Sequence, residues 1–201
     1  IEGGAVFTAS SGIITFTKLA GDILNFGTFN HNEGTVRIGQ NTVIYNNDAS
    51  AVEMVFYNFN ADKDVYLAKD ITIVNNLYGD SRLVIYEKTK ITLGNSTQKA
   101  IVNYVGEGFS SASNVGYGSG ELDSWYILSN SSSFPAEWSS GATSAHYFDG
   151  KTGTVYLENQ IINGTFNTDT GDADDINLIV SNVTFGNLTV TVNALGVNTF
   201  N

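Results

Sequence analysis

Residues 71–94 read ITIVNNLYGDSRLVIYEKTKITLG. Ile71 and Ile73, then Leu83 and Ile85, then Ile91 and Leu93 each stand two residues apart, with Thr, Val, Tyr or Lys on the alternate positions. A period of two places one set of side chains on each face of an extended segment, so these are strands with one apolar face. Gly, Asn and Asp fill the stretches between them and supply turn conformations. The same texture runs outward in both directions. Upstream it predicts strands at Ala5–Thr8, Ile13–Thr17, Ile23–Phe29, Thr35–Ile38, Thr42–Tyr45, Val52–Phe59 and Val65–Ala68, and within the opening stretch at Ile71–Val74, Leu83–Tyr86 and Lys90–Leu93. Downstream come Ala100–Val105, Thr154–Leu157, Gln160–Phe166, Ile176–Ser181, Asn182–Phe185 and Asn187–Asn193, and no segment carries a helical period.

The expected fold class is therefore all-β, and the 201 residues are read as a single domain. Short strands at this spacing suit either a β-solenoid (a parallel β-helix) or a β-sandwich or jelly roll. Both bury every second side chain, so periodicity does not separate them. Self-similarity favours the solenoid: Phe-Asn recurs at Phe29-Asn30, Phe59-Asn60 and Phe166-Asn167, and Gly27-Thr28-Phe29-Asn30 returns as Gly164-Thr165-Phe166-Asn167. Asn at the turns of stacked coils can form side-chain ladders. The competing explanation is that a chain rich in Asn, Thr and Phe repeats such phrases by chance. Residues 106–150 differ in texture: Gly, Ser and Ala dominate, with Trp125, Tyr126, Pro135, Trp138, Tyr147 and Phe148 embedded. Their aromatic content argues against a disordered linker, and the stretch is read as an ordered insertion.

Composition narrows the function. The net charge is -11, from nine Lys and Arg against twenty Asp and Glu. Such a chain is a poor partner for nucleic acid, whose affinity comes from neutralising phosphates, and for an anionic membrane surface. No apolar run is long enough to span a bilayer as a helix, so neither nucleic-acid binding nor membrane insertion is expected. The chain lacks cysteine, which removes disulfides, thiol catalysis and Cys-ligated zinc.

The run Gly27-Thr28-Phe29-Asn30-His31-Asn32-Glu33-Gly34-Thr35-Val36 resembles a phrase of large repetitive bacterial surface proteins, as does the order of segments from Phe56 to Gly94. The resemblance covers roughly residues 23–105, and its motifs reflect turn chemistry more than activity. It implies a parallel β-solenoid acting as an extracellular adhesin or wall component. A looser resemblance is to donor-strand-exchanging filament subunits, such as archaeal threads and bundling pili, which are also Cys-free, acidic and rich in Thr, Ser and Asn. Residues 1–17 suit that role: they are uncharged apart from Glu2 and carry Val6, Phe7, Ile13, Ile14 and Phe16 as candidate contacts to another copy. The alternative is an ordinary first strand of the same domain.

Other constellations were weighed by their chemistry. Asn95, Asn130, Asn163, Asn182 and Asn187 each open an N-glycosylation sequon. Asp169, Asp172, Asp174 and Asp175 crowd a short Gly-containing stretch and could supply oxygen ligands to a structural calcium ion, though a solvated acidic turn is the plainer explanation. The same stretch contains the Asn-Thr-Asp and Asp-Asp words of polygalacturonases, but lacks the rest of that family's set and places the pairs too close together. Gly79-Asp80-Ser81 resembles the nucleophile block of GDS-type esterases, yet neither His31 nor His146 follows an Asp by three residues to serve as its base. Trp125 and Trp138 offer a sugar-binding platform, or else pin a long loop to the core. The sequence thus predicts a secreted structural protein and no enzyme. It is expected to associate with copies of itself as a filament or adhesin subunit, with a carbohydrate-binding module that recognises surface glycans as the alternative.

Overall fold

The computed structural model describes residues 1–17, 23, 25–44, 52–81, 83–85, 89–104, 109–111, 124–139, 145–149, 153–168 and 176–190. Among them are seventeen strands and no helix. The strands are β1 (Val6–Thr8), β2 (Ile13–Phe16), β3 (Thr28–Asn30), β4 (Thr35–Ile38), β5 (Thr42–Ile44), β6 (Met54–Ala61), β7 (Val65–Leu67), β8 (Ile71–Gly79) and β9 (Leu83–Ile85). They continue with β10 (Lys90–Leu93), β11 (Ile101–Tyr104), β12 (Phe109–Ser111), β13 (Ser124–Ser129), β14 (Ala136–Trp138), β15 (Ala145–Asp149), β16 (Gly153–Thr168) and β17 (Ile176–Val190).

Every pairing between these strands is parallel. They fall into three ladders. The first joins the leading halves of β6 and β8 to β10, β13 and the leading parts of β16 and β17. At its head β1 and β3 pair as a separate two-stranded sheet, tied on by Phe29 against Phe56 at 5.5 Å between ring centroids. The second ladder runs β2, β4, the trailing half of β6, the trailing half of β8, β11, β14 and the middle of β16 and β17. The third runs β5, β7, β9, β12, β15 and the ends of β16 and β17.

Because strands stack in register, each side chain stands on its partner from the previous pass of the chain. One column in the second ladder is Ile14, Val36, Phe59, Leu77, Val102, Trp138, Ile162 and Phe185. One in the first is Met54, Ile71, Ile91, Ile127, Leu157 and Val180. From Val36 to Leu178 these columns merge into one continuous apolar core, which Val65, Leu67, Leu83 and Ile85 close from the third ladder. Each fully buried aliphatic or aromatic side chain there contributes about 1.5–3 kcal/mol.

The all-β class and the alternating core of residues 71–94 agree with the sequence reading. Two details differ. Residues 106–150 contain β12, β13, β14 and β15, which pair in the same three ladders as their neighbours, for example Phe109 with Leu83, Lys90 with Tyr126 and Ile101 with Glu137. The described parts of that stretch are strands of the main body, because Ile127, Ala136 and Trp138 supply buried side chains that the Gly and Ser content obscures. Of the expected strand Ile23–Phe29, the described residues show an isolated bridge from Ile23 to Ile44 and, at its end, the short β3.

The recurrent phrases do not occupy equivalent places. Phe29 heads the first ladder, Phe59 stands in the second, and Phe166 pairs with Leu188 in the third. The glycines of the first phrase have a local purpose instead. A Cβ on Gly27 would sit 2.3 Å from the Ala5 carbonyl oxygen, and one on Gly34 would sit 2.1 Å from that of Ser10. Both positions let the backbone of residues 1–12 cross close against the next pass.

Phe56→Ala should lower the unfolding free energy by about 3–5 kcal/mol, since it empties a site with no exposure in the middle of the core; urea denaturation followed by circular dichroism measures it. Gly34→Ala should loosen residues 1–17 while leaving the later strands protected, which hydrogen exchange resolved by peptide would record.

Candidate functional site

Residues 1–17 form the outermost pass at the N-terminal side. Backbone bonds hold them to the next pass: Thr28 N–H to the Ala5 carbonyl at 2.9 Å, Ala9 N–H to Asn30 at 2.8 Å, Thr35 N–H to Gly12 at 2.8 Å and Gly39 N–H to Phe16 at 2.9 Å. The tip that turns between β3 and β4 is built locally. The Asn32 N–H donates to Asn30 Oδ1 at 3.2 Å and the Glu33 N–H to His31 Nδ1 at 3.0 Å, while Asn32 and Glu33 take φ of 46° and 57°. His31 is thus a turn residue, its ring stacked on Tyr57 at 5.5 Å.

On the far side of this pass, β1 pairs only with β3 and β2 only with β4 among the described residues. Its apolar side chains are correspondingly open. Val6 is 68% exposed, Phe7 42% and Ile13 66%, so three of the six large apolar or aromatic side chains that are exposed among the described residues lie in these two short strands. Phe7 stacks on Phe29 at 5.9 Å with an interplanar angle of 11°, and Phe29 in turn meets Phe56, so Phe7 ends an aromatic column with one face uncovered. Ile14 and Phe16 are half-buried, and Phe16 packs on the core. Of the five residues expected to contact another copy, Val6, Phe7 and Ile13 are offered outward and Ile14 and Phe16 support them. In this structure residues 1–17 pair with their own chain, as an ordinary first pass does.

Trp138 is fully buried. Its indole N–H donates to Gln160 Oε1 at 2.7 Å, and Gln160 Nε2 donates to the Ile127 carbonyl. This corrects the platform reading for Trp138, because a side chain with no exposure presents no face to a sugar; it joins two ladders through the core instead. Trp125 lies in β13 opposite Val155. A shallow groove of about 240 Å³ lies outside the same ladder, lined by Tyr126, Leu128, Tyr156, Glu158, Ile179 and Ser181 among others, with Tyr126 and Tyr156 stacked at 4.6 Å and 10°.

Side-chain amides build a second feature that the sequence reading anticipated in kind but assigned to other residues. Where the first ladder passes into the second, Asn58 Nδ2 donates to Thr35 Oγ1 at 3.2 Å, and Asn75 and Asn76 both donate to Asn58 Oδ1 at 2.9 Å. Gln98 then donates to Asn75 Oδ1 at 2.7 Å. At the same corner further along, Asn182 donates to Asn159 Oδ1 at 2.8 Å, both residues having positive φ. Asn tolerates that backbone conformation better than other side-chain-bearing residues, which is the signal a search for stacked Asn would use.

The sequons differ in presentation. Asn130 and Asn187 are exposed, and Asn163 is half-buried. Asn95 accepts the Thr97 N–H at 2.8 Å and its hydroxyl at 3.0 Å. Asn182 is exposed, but its amide nitrogen, the atom a glycan would occupy, serves the ladder to Asn159. Ser81 donates its hydroxyl to Asp64 Oδ1 at 2.6 Å. Asp169, Asp172, Asp174 and Asp175 lie outside the described residues; among those described, no cluster of three His, Cys, Asp or Glu could hold a metal. No protein-family model matches the chain, nor does any curated protein or solved structure.

Trp138→Phe should cost about 1–3 kcal/mol, because Gln160 Oε1 loses its buried indole donor. Asn130→Gln, with no such ladder to break, should leave the unfolding midpoint unchanged.

Proposed function

We propose that this chain is a β-solenoid that serves as an extracellular structural protein, a self-assembling subunit of a surface filament or adhesin. The observation that carries the reading is the uncovered outer pass. Two strand edges, with the exposed Val6, Phe7 and Ile13 beside them, have no strand partner on their outer side among the described residues, and residues 3–17 hold no Lys, Pro or charge of the kind that blunts strand edges in proteins which stay apart. An edge of that kind is a template for pairing with another chain, with main-chain hydrogen bonds giving strength and apolar side chains giving fit. Supporting the solenoid are the uniformly parallel ladders and the return of bonded partners after 23 residues at Thr35 and Asn58, 18 at Asn58 and Asn76, and 23 at Asn159 and Asn182. A secreted location accords with the absence of cysteine, the acidic surface and the five sequons.

The carbohydrate-binding alternative now has its best support in the groove at Tyr126 and Tyr156. Each ring covers one face of the other, which reduces the aromatic face left for a sugar to stack on, so this reading ranks second.

Ile13→Lys combined with Val6→Lys places charges on exposed positions and should leave the circular dichroism unchanged while abolishing concentration-dependent polymers in sedimentation velocity. Polymerisation equal to that of the unaltered chain would remove the first pass from the assembly surface. Tyr156→Ala should leave polymerisation intact, and a loss of polysaccharide binding in that variant would revive the alternative.

A further inference from the structure

We infer that the groove beside Tyr126 and Tyr156, on the side of the stack, takes a lysine side chain presented by a basic partner protein. The groove runs between two outward columns of the first ladder. One column is Tyr126, Tyr156 and Ile179, and the other is Leu128, Glu158 and Ser181. Two residues along a strand separate the columns by about 6.6 Å, and successive members of a column follow at about 4.8 Å. The intervening residues Ile127 and Leu157 turn their side chains into the core, so the channel between the columns is floored by strand backbone.

Its walls combine apolar surface with one charge. Tyr126 and Tyr156 stack at 4.6 Å and 10°, each covering one face of the other, and Leu128 and Ile179 add aliphatic surface. A flat sugar ring needs an open aromatic face, whereas a chain of methylenes packs on ring edges and aliphatic side chains without one. Glu158 is exposed, and its carboxylate accepts one bond at 3.3 Å from the amide of Asn159; no described cation pairs with it. A carboxylate beside an apolar channel complements a side chain with a methylene stem and an ammonium head. The net charge of -11 attracts a basic protein and opposes a second copy of this chain. Among the chain's own cations, Arg37 and Lys99 are already engaged by Asp62 and Glu137.

Three capped peptides that differ in one central residue separate stem from head. One carries lysine, one carries norleucine, which keeps the stem without the charge, and one carries diaminopropionate, which keeps the ammonium on a single methylene. Saturation-transfer NMR reads the peptide protons whether or not the chain is polymerised. The lysine peptide should bind more tightly than either of the others. Glu158→Gln should weaken it by up to about fivefold, the range of one exposed ion pair. Glu33→Gln removes the same charge from the turn between β3 and β4 and should leave binding unchanged. Equal binding of the lysine and diaminopropionate peptides, or equal losses in the two variants, would reduce the effect to general attraction by an acidic surface and overturn the inference. Binding of the norleucine peptide as tight as that of lysine would overturn it in favour of a purely apolar groove. Displacement of the lysine peptide by a neutral oligosaccharide that binds equally to Glu158→Gln would overturn it in favour of a carbohydrate site. Loss of polymers from Glu158→Gln in sedimentation velocity would place a second copy in the groove and overturn it too, while the assembly reading would survive.

Discussion

In-register parallel stacking is the constraint from which the other features follow. A residue in one pass must be compatible with the residue directly above and below it, because strands are only about 4.8 Å apart. Apolar positions therefore line up as columns, with Ile71 on Ile91 and Ile73 on Leu93. Polar positions that cannot reach water must find partners along the same axis. The chain from Thr35 through Asn58 and Asn75 to Gln98 does so, each amide offering both a donor and an acceptor to its neighbours. Gln160, buried to 1% exposure, is the severe case, and it is satisfied from two directions by Trp138 and by the backbone of Ile127. A buried polar group left without such partners would cost more than a hydrogen bond ordinarily returns.

Much of the fold was legible because alternation and turn chemistry act locally. Thr35–Ile38 and Lys90–Leu93 coincide with observed strands at both ends. What local reading could not supply was register, which depends on residues far apart in sequence. The three Phe-Asn phrases lie in the separate β1–β3 sheet, the second ladder and the third, so they do not mark one repeated position. Residues 106–150 read differently for a related reason: among the described residues there, Ile127, Ala136 and Trp138 are buried, and the Gly and Ser of the stretch hide their alternation. At the candidate site, the exposed apolar residues of the first strands were found in the sequence. The burial of Trp138 was not, because nothing near it in the chain marks Gln160 as its partner.

The distribution of charge acquires meaning only beside this architecture. Along the sides, ion pairs and hydrogen bonds link one pass to the next at the surface, as between Arg37 and Asp62 or Lys99 and Glu137. Such exposed pairs contribute little to stability.

The attachment of the first pass also bears on how the molecule responds to force. Among the described residues, it is held through the close crossings at Gly27 and Gly34, a short row of backbone bonds and the packing of Phe16 on the core. A pull applied to residues 1–17 would load those bonds first, and strands that pair only with their immediate neighbours would come away in turn. Once the load is removed, the remaining stack is an intact template on which the freed segment can rewind. In the structural role proposed above, such units would yield under sudden strain, dissipate the work and recover their length.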